Sequence, residues 1–326
     1  MRVRIGRLLC LGFFVLTANT HAAEFNFEPG PEGYQLGSDS LLQEGVPKGE
    51  LLGPFEFHSQ IIEGTVRRYW VYVPANYSKE VVANLLVFQD GQRATNPQGS
   101  LRVPQVLENL IHKKAIPPTI GLFITPGNRS EHYPDDLGMR NPNHRAQEYD
   151  ATSDRYTRFL IDEMLPKLGE DYSITDDPRR RVIGGTSSGA ICAFTVAWHR
   201  PDQFANVMSF IGSYVSIGYR PAREGNPMIL GGDLYPTWIR REAPKPIRIF
   251  LQDGTNDLDN LFGNWYLANQ RMLAAFEFAN GMADRRNRPG SRYDVNHVWT
   301  DGRHSDQHGG AILPEVLRWI WRDLED

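Results

Sequence analysis

Gly184-Gly185-Thr186-Ser187-Ser188-Gly189-Ala190 is the stretch that decides the fold of this 326-residue chain. It follows the strand-like run Arg181-Val182-Ile183 and precedes a small, apolar pattern with helical spacing. A serine between two glycines, on a sharp turn from a strand into a helix, forms a nucleophile elbow that exposes its hydroxyl. We therefore predict that Ser187 is a nucleophile. The alternative is a glycine-rich turn whose serine only caps the next helix.

An acidic residue follows Ser187 at the position that a catalytic triad requires. The apolar run at 247–251 predicts a buried strand, and Asp257 lies on the loop beyond the carboxyl end of that strand. We predict that Asp257 is the triad acid, with Asp259 as the second candidate and Asp253 as the third. The order Ser, Asp, His along the chain is the one that α/β-hydrolases use.

A histidine completes the series. The alternating stretch 293–299 predicts a half-exposed strand that leads directly to His304, whereas His308 stands at the start of the next helix. We predict that His304 accepts the Ser187 proton while Asp257 orients the imidazole. No metal is expected at the two histidines, because Ser305 stands where a zincin-type H-E-x-x-H motif needs glutamate.

An oxyanion formed at this site would need two hydrogen-bond donors. One is expected to be the backbone N–H of Ser188, the residue after the nucleophile. The other is expected from the loop after an early strand, which the run 85–89 provides, so Gly91 or Gln92 is the second donor.

Composition narrows the class of protein. The chain is 40% hydrophobic and 23% charged, which suits a single large enzyme domain with a substantial core. Its formal net charge of −4 provides no basic patch, and no phosphate-binding Gly-x-x-x-x-Gly-Lys motif is present in the sequence. We therefore expect no nucleic-acid or nucleotide partner and no cofactor.

The N-terminal segment reads as a targeting signal. Arg2, Arg4 and Arg7 precede an apolar run at 8–16, and small residues lead up to Ala22. We predict a secretory signal peptide at 1–22 in a periplasmic or secreted protein. The run is too short for a stable membrane anchor. An extended arm is expected at 23–56, and one catalytic domain at 57–326.

Strand and helix patterns alternate through that domain. This alternation predicts an α/β fold with a mostly parallel, doubly wound sheet and a site at the carboxyl ends of its strands. The predicted strands are 65–73, 85–89, 119–125, 181–183, 207–211, 247–251 and 293–299, and the predicted helices are 103–113, 155–168, 189–200, 264–280 and 311–323.

With these residues placed, the chain resembles the putative-esterase branch of the α/β-hydrolases, and within it the enterochelin (siderophore) esterase-like proteins. The resemblance is carried by Arg68-Tyr69-Trp70-Val71-Tyr72-Val73-Pro74, Val87-Phe88-Gln89-Asp90-Gly91, the elbow stretch, and Gly302-Arg303-His304-Ser305. It implies an α/β-hydrolase fold and the hydrolysis of carboxylic esters.

The long polar stretch 127–150 is the candidate substrate loop. Arg145 and Glu148 are expected either to contact an oxygen-rich substrate or to pair with each other and hold the loop. The resulting hypothesis is an exported serine esterase that acts on a small-molecule or polysaccharide-linked ester, of siderophore type or with an aryl or acetyl group. The alternatives are an acyltransferase of mycolyltransferase type and a catalytically silent carbohydrate- or ligand-binding protein.

Overall fold

The computed structural model describes residues 33–138, 140–224 and 228–324. These residues form an eight-stranded sheet in which β2 is antiparallel to both of its neighbours and the strands from β3 to β8 are parallel. The spatial order is β1-β2-β4-β3-β5-β6-β7-β8. The strands are β1 Glu50–Ser59, β2 Thr65–Val73, β3 Asn84–Gln89, β4 Thr119–Ile124, β5 Arg181–Thr186, β6 Asn206–Phe210, β7 Arg248–Asn256 and β8 Asp294–Arg303.

Helices cover both faces of the sheet, as the alternating pattern predicts. A π-helical turn at Leu160–Met164 joins α4 to α5, so the predicted helix at 155–168 is one continuous element. The helices are α1 Gly91–Ala94, α2 Val103–His112, α3 Arg145–Tyr149, α4 Arg155–Phe159, α5 Leu165–Gly169, α6 Ser188–His199, α7 Tyr235–Arg241, α8 Trp265–Arg285 and α9 Asp306–Ile320.

The core consists of two apolar layers, one on each face. Alternate residues of a strand point to opposite faces, so Leu85 and Val87 of β3 pack into one layer while Leu86 and Phe88 pack into the other. The first layer also holds the apolar faces of α4 to α8, and the second holds those of α2 and α9. Helices on both faces bury the central strands β3 to β6 completely, and this explains why the sequence of these strands is almost continuously apolar.

Helix α6 is apolar around its whole circumference. Every residue from Ser188 to Trp198 is buried, because the helix lies in the first layer against β3, β5 and β6. A helix without a polar face is held inside a core rather than on its surface. The buried helix is therefore a rigid support for Ser187, the residue that precedes it.

The sheet begins earlier than the sequence predicts. Strand β1 starts at Glu50, inside the segment 23–56 that was predicted to be an arm outside the catalytic domain. Gly53-Pro54 breaks the pairing register of β1 with β2 between Leu52 and Phe55, and most residues of β1 are exposed. A proline inside a strand is tolerated at a sheet edge. The predicted signal peptide at 1–22 lies outside the described residues.

Residues 33–49 run across the second layer and are held by polar contacts. Asp39 forms ion pairs with Lys113, the residue that follows α2, and with Arg318 of α9. Asn109 of α2 donates hydrogen bonds to the carbonyls of Asp39 and Leu41, both at 2.8 Å. Within the described parts of the chain, no helix has the length and hydropathy that crossing a membrane requires.

A buried ion pair fixes the loop 127–150 to the sheet. Arg67 of β2 donates to both oxygens of Glu148, at 2.9 and 3.2 Å, and neither side chain is more than 1% exposed. The Glu148 carboxylate also accepts from the amide of Gly127 and contacts His144 Nδ1, each at 3.0 Å. Burial would raise the pKa of Glu148, but the charge of Arg67 and these hydrogen bonds hold it below its ordinary value.

We expect Glu148→Gln to lower the free energy of unfolding by about 3–5 kcal/mol, because the charge of Arg67 would stay buried without its partner. Urea denaturation at pH 7 measures the change. The control is Asp154→Asn, which breaks the exposed Arg158–Asp154 pair of α4 and should cost less than about 1 kcal/mol. Equal losses in the two variants would contradict the role given to the buried pair.

Candidate active site

Ser187 stands on the sharp turn between β5 and α6. Its backbone adopts φ 57° and ψ −121°, a conformation that non-glycine residues rarely take. The turn is tight enough that a Cβ at Gly185 would lie 2.5 Å from the carbonyl group of Gly189. Gly185 is therefore required for the close approach of strand and helix, whereas a Cβ at Gly189 would make only a tight contact with Gln89 Cβ, at 3.1 Å.

Three predicted side chains meet at one end of the sheet. Ser187 follows β5, Asp257 follows β7 and His304 follows β8, so the carboxyl ends of the parallel strands bring them together. Ser187 Oγ lies 2.8 Å from His304 Nε2, and His304 Nδ1 lies 2.6 Å from Asp257 Oδ1. We call this arrangement the Ser187–His304–Asp257 relay. Asp259, the second candidate acid, lies in an exposed two-residue strand.

The hydrogen bonds and the charge of Asp257 suit proton transfer from Ser187 to His304. The Asp257 carboxylate has no exposed surface and accepts from the amide of Leu258 at 2.5 Å as well as from His304. Burial would raise the pKa of Asp257, but the hydrogen bond from His304 lowers it below its ordinary value. An ionised Asp257 can hold a proton on His304 Nδ1, and in that tautomer Nε2 is able to accept a proton from Ser187.

The competing histidine is a structural residue in this arrangement. His308 lies in α9, where its Nδ1 contacts Gln252 Nε2 at 2.9 Å and its ring stacks on Tyr34 at 4.0 Å. It fills the space above Gly302, where an added Cβ would overlap its ring. Burial lowers the pKa of His308 and favours its neutral form. No group of three or more candidate metal ligands occurs among the described residues.

The predicted oxyanion donors stand at helix N-termini. Ser188 is the first residue of α6, while Gly91 and Gln92 are the first two of α1. Amides at these positions have no partner inside their helix and can bind an external anion. Asp90, in a left-handed conformation with φ 55°, turns the chain from β3 into α1. A Cβ at Gly91 would lie 2.6 Å from the backbone of Phe123, so glycine is needed there.

The two residues predicted for the substrate loop do not pair with each other. Glu148 is buried against Arg67, with both of its oxygens bonded, so it holds the loop and presents no free acceptor. Arg145 instead donates to both oxygens of Asp90, at 3.0 and 2.7 Å, and keeps 28% of its side chain exposed. Burial would lower the pKa of Arg145, but Asp90 raises it, so the guanidinium stays cationic.

Asp253, the third candidate acid, lies behind Asp257. It is fully buried within β7 and accepts hydrogen bonds from the amide of Gly254 at 2.7 Å and from Asn269 Nδ2 at 2.5 Å. Burial, reinforced by the hydrogen bond and charge of Asp257, raises the pKa of Asp253 to about 10. The raised pKa favours the protonated form of Asp253 at pH 7, and a protonated carboxyl can donate to Asp257.

Sequence reasoning missed the residues that support the relay. Ser213 Oγ lies 3.1 Å from Ser187 Oγ, and Trp265 Nε1 donates to Ser213 Oγ at 3.1 Å. The ring of Trp265 also packs edge-on against His304, with centroids 5.8 Å apart. The helical spacing of Trp265 in the sequence predicts only a core position. The one sequence feature that could have indicated Ser213 is its place just after β6, at the carboxyl edge of the sheet where the relay lies.

Comparison with known proteins assigns a family. The sequence model of the family described as "Putative esterase" matches residues 59–300. The Iron(III) enterobactin esterase of Escherichia coli strain K12 is 27% identical over 148 residues, which make up 45% of this chain and 32% of that protein. The chain spans less than two thirds of the length of the curated relatives that it matches.

Solved structures share the fold. The enterobactin esterase of Shigella flexneri, crystallised in the presence of 2,3-di-hydroxy-N-benzoyl-glycine, has a TM-score of 0.60 and 21% identity, covering 86% of this chain and 62% of that chain. A ferulic acid esterase of Anaeromyces mucronatus in complex with ferulic acid has a TM-score of 0.57 and 16% identity, covering 87% and 97%. The predicted α/β-hydrolase fold and the resemblance are confirmed, and the family match supports a carboxylic ester hydrolase.

We expect Asp253→Asn to stabilise the protein increasingly as the pH rises from about 4 towards 10. The wild-type carboxyl stays protonated in the folded state up to a pKa of about 10 but ionises near pH 4 when unfolded, so wild-type stability falls across that window by up to about 1.4 kcal/mol per pH unit. Asparagine carries no such proton. Thermal denaturation of both proteins from pH 5 to 9 measures the difference.

The control for this experiment is Asp259→Asn, which removes an exposed carboxylate and should follow the wild-type pH dependence. A constant offset between Asp253→Asn and wild type over the whole range would mean that Asp253 is ionised in the folded protein, contrary to the burial argument.

Proposed function

The chain belongs to the Putative esterase family, and from that premise we propose that it is a serine carboxylic-ester hydrolase that works through an acyl-enzyme. The observation that carries the proposal is the Ser187–His304–Asp257 relay, with contacts of 2.8 and 2.6 Å, beside the first amides of α6 and α1. A nucleophile, a base, an orienting acid and two anion-binding amides are the parts that acyl transfer requires.

In the first half-reaction, Ser187 Oγ attacks the ester carbonyl carbon while His304 Nε2 takes the hydroxyl proton. The negative charge on the carbonyl oxygen is stabilised by the amides of Ser188 and Gly91, with Gln92 as a further donor. The bond from the carbonyl carbon to the alcohol oxygen then breaks, and His304 gives its proton to that oxygen. Asp257 stabilises the imidazolium in the interval, so the alcohol leaves and Ser187 carries the acyl group.

In the second half-reaction, water takes the place of the departed alcohol. His304 removes a proton from the water as its oxygen attacks the acyl carbon, and the bond to Ser187 Oγ breaks. The proton passes from His304 to Ser187 Oγ, which releases a carboxylic acid and restores the free site. In a transferase, the hydroxyl of an acyl acceptor would take the place of this water and leave as a new ester.

We infer that the acyl group carries a hydroxylated aromatic ring, in a siderophore-type or polysaccharide-linked ester. The Shigella flexneri enterobactin esterase was crystallised in the presence of a dihydroxybenzoyl compound, and the Anaeromyces mucronatus ferulic acid esterase is in complex with ferulic acid. Both compounds carry a hydroxylated aromatic ring. The exposed part of Arg145, beside Asp90 and hence beside the Gly91 amide, offers a fixed positive charge to the oxygens of such a substrate.

Export is part of the proposal. It rests on the sequence of residues 1–22, with three arginines before a short apolar run and small residues up to Ala22. The esterase would then meet its substrate outside the cytoplasm, in the periplasm or beyond.

We expect wild-type protein to hydrolyse p-nitrophenyl acetate and aryl esters, and Ser187→Ala to lose on the order of 10⁵- to 10⁶-fold in kcat. Asp257→Asn should lose about 10³- to 10⁴-fold, because the imidazole would take the wrong tautomer. The matched control is Asp259→Asn, two residues further along the same loop, which should retain wild-type kcat. Initial rates measured by absorbance give all four values.

Substrate choice is tested with the same proteins. A panel of siderophore lactones, with and without iron, feruloylated sugars and acetylated xylan is followed by chromatography of the released acids. A higher kcat/KM for the aryl esters than for acetylated xylan supports the aryl assignment. Background-level release by wild type and Ser187→Ala alike would reject hydrolysis and favour a silent binding protein.

We expect the full chain, produced in a Gram-negative host, to accumulate outside the cytoplasm with a mature N-terminus at Ala23. Val15→Asp interrupts the apolar run and should keep the protein in the cytoplasm at its full length. Cell fractionation and N-terminal sequencing measure both. Cytoplasmic, uncleaved wild-type protein would argue against export.

A further inference from the structure

Ser187 Oγ has a second partner besides the His304 imidazole, the hydroxyl of Ser213. Ser213 Oγ lies 3.1 Å from it, on the side chain that follows the Ile211-Gly212 turn after β6. Ser213 is fully buried, and its amide donates to the Ser187 carbonyl at 3.2 Å, so the two serines are held together through backbone as well as side chain. A contact fixed in this way has a defined geometry.

The proposed relay sets the direction of this hydrogen bond. An indole N–H can only donate, so the Trp265 Nε1 contact at 3.1 Å makes Ser213 Oγ an acceptor. Ser187 has one hydroxyl proton, and that proton must point to His304 Nε2 for the relay to work. The Ser213 proton is then directed to Ser187 Oγ, since Ser187 has none left to donate to it.

We propose that Ser213 and Trp265 are positioning residues that fix the orientation of the Ser187 hydroxyl towards His304. This inference rests on the proposed role of Ser187 as nucleophile and extends it. Trp265 occupies one acceptor direction of Ser213, and Ser213 in turn occupies one acceptor direction of Ser187. The single proton of Ser187 is left with His304 as its acceptor.

The surroundings hold the pair rigidly. Trp265 is 2% exposed at the first position of α8, and its ring packs against the imidazole of His304. Asn269, one turn further along α8, donates to the carbonyl of Gly212 at 2.9 Å and so anchors the turn that carries Ser213. One helix end therefore supports both the nucleophile and the base.

Trp265→Phe tests the N–H donor independently of the ring contact, because phenylalanine keeps an aromatic contact with His304 and loses the N–H. Without the indole donor the Ser213 hydroxyl is free to rotate, and in the rotated state its oxygen competes with His304 Nε2 for the Ser187 proton. We expect kcat to fall about tenfold with KM changed less than twofold, which corresponds to the loss of one hydrogen bond in the reacting geometry. Ser213→Ala should lower kcat by about three- to tenfold.

The double variant gives the sharper readout. Once Ser213 is alanine, the indole N–H has no hydroxyl to direct, so Ser213→Ala with Trp265→Phe should match Ser213→Ala alone. The matched control is Ser209→Ala, which removes another fully buried serine hydroxyl, bonded to Tyr214 at 2.9 Å, and should leave kcat unchanged. Rates are divided by the fraction of protein that a fluorophosphonate labels at completion, and thermal denaturation confirms folding.

Each outcome decides between separate claims. If Ser187→Ala stays active, the proposed function fails. If Ser187→Ala is inactive while Ser213→Ala or Trp265→Phe retains wild-type kcat, only the positioning role is overturned. Independent losses that multiply in the double variant would also overturn it, as would a tenfold loss in Ser209→Ala. If Trp265→Phe folds poorly, Ser213→Ala against Ser209→Ala decides the question.

Discussion

The hydrogen bond between Ser187 Oγ and His304 Nε2 joins residues that are 117 positions apart, and most of the fold serves to make it short. It needs Ser187 in a strained backbone conformation, which costs on the order of 1–3 kcal/mol. The surrounding core overcomes that cost, because α6 is buried on every side and cannot rotate away from β5. The strain is local, whereas the packing that holds it extends through a whole face of the sheet.

The hydrogen-bonded chain around that contact has a donor at each end. At one end the indole of Trp265 donates to Ser213, and at the other the raised pKa of Asp253 favours a protonated carboxyl that can donate to Asp257. Donors at both ends favour transfer of the Ser187 proton to His304. Helix α8 supplies both supports, since Trp265 begins it and Asn269 bonds to Asp253 one turn later.

The sequence predicted elements well where apolar periodicity was strong, and the fold class followed from their alternation. The strand at 65–73 is predicted with its observed bounds because its alternating pattern ends at Pro74, whereas β1 was assigned to the arm because that segment is rich in Gly, Pro and Glu and has little periodicity. Ser187 was predicted from the glycine-flanked turn at 184–190, and Asp257 and His304 from chain order and strand ends. The partners of Glu148 and the place of Ser213 were not predictable, because they depend on contacts between residues 81 and 26 positions apart.

Buried charge, rather than apolar packing, holds the loops that border the site. The stretch 127–150 has few large apolar residues, yet Glu148 is fixed by Arg67 and Asp90 by Arg145, with both carboxylates at most 3% exposed. Such pairs contribute little net stability compared with apolar substitutes, but they tolerate only one geometry. The Arg145–Asp90 pair stands directly before the Gly91 amide, so the geometry that it enforces is that of the anion-binding turn itself. A loop packed only by apolar side chains would allow small shifts at that turn, and the donor directions there would be less well defined.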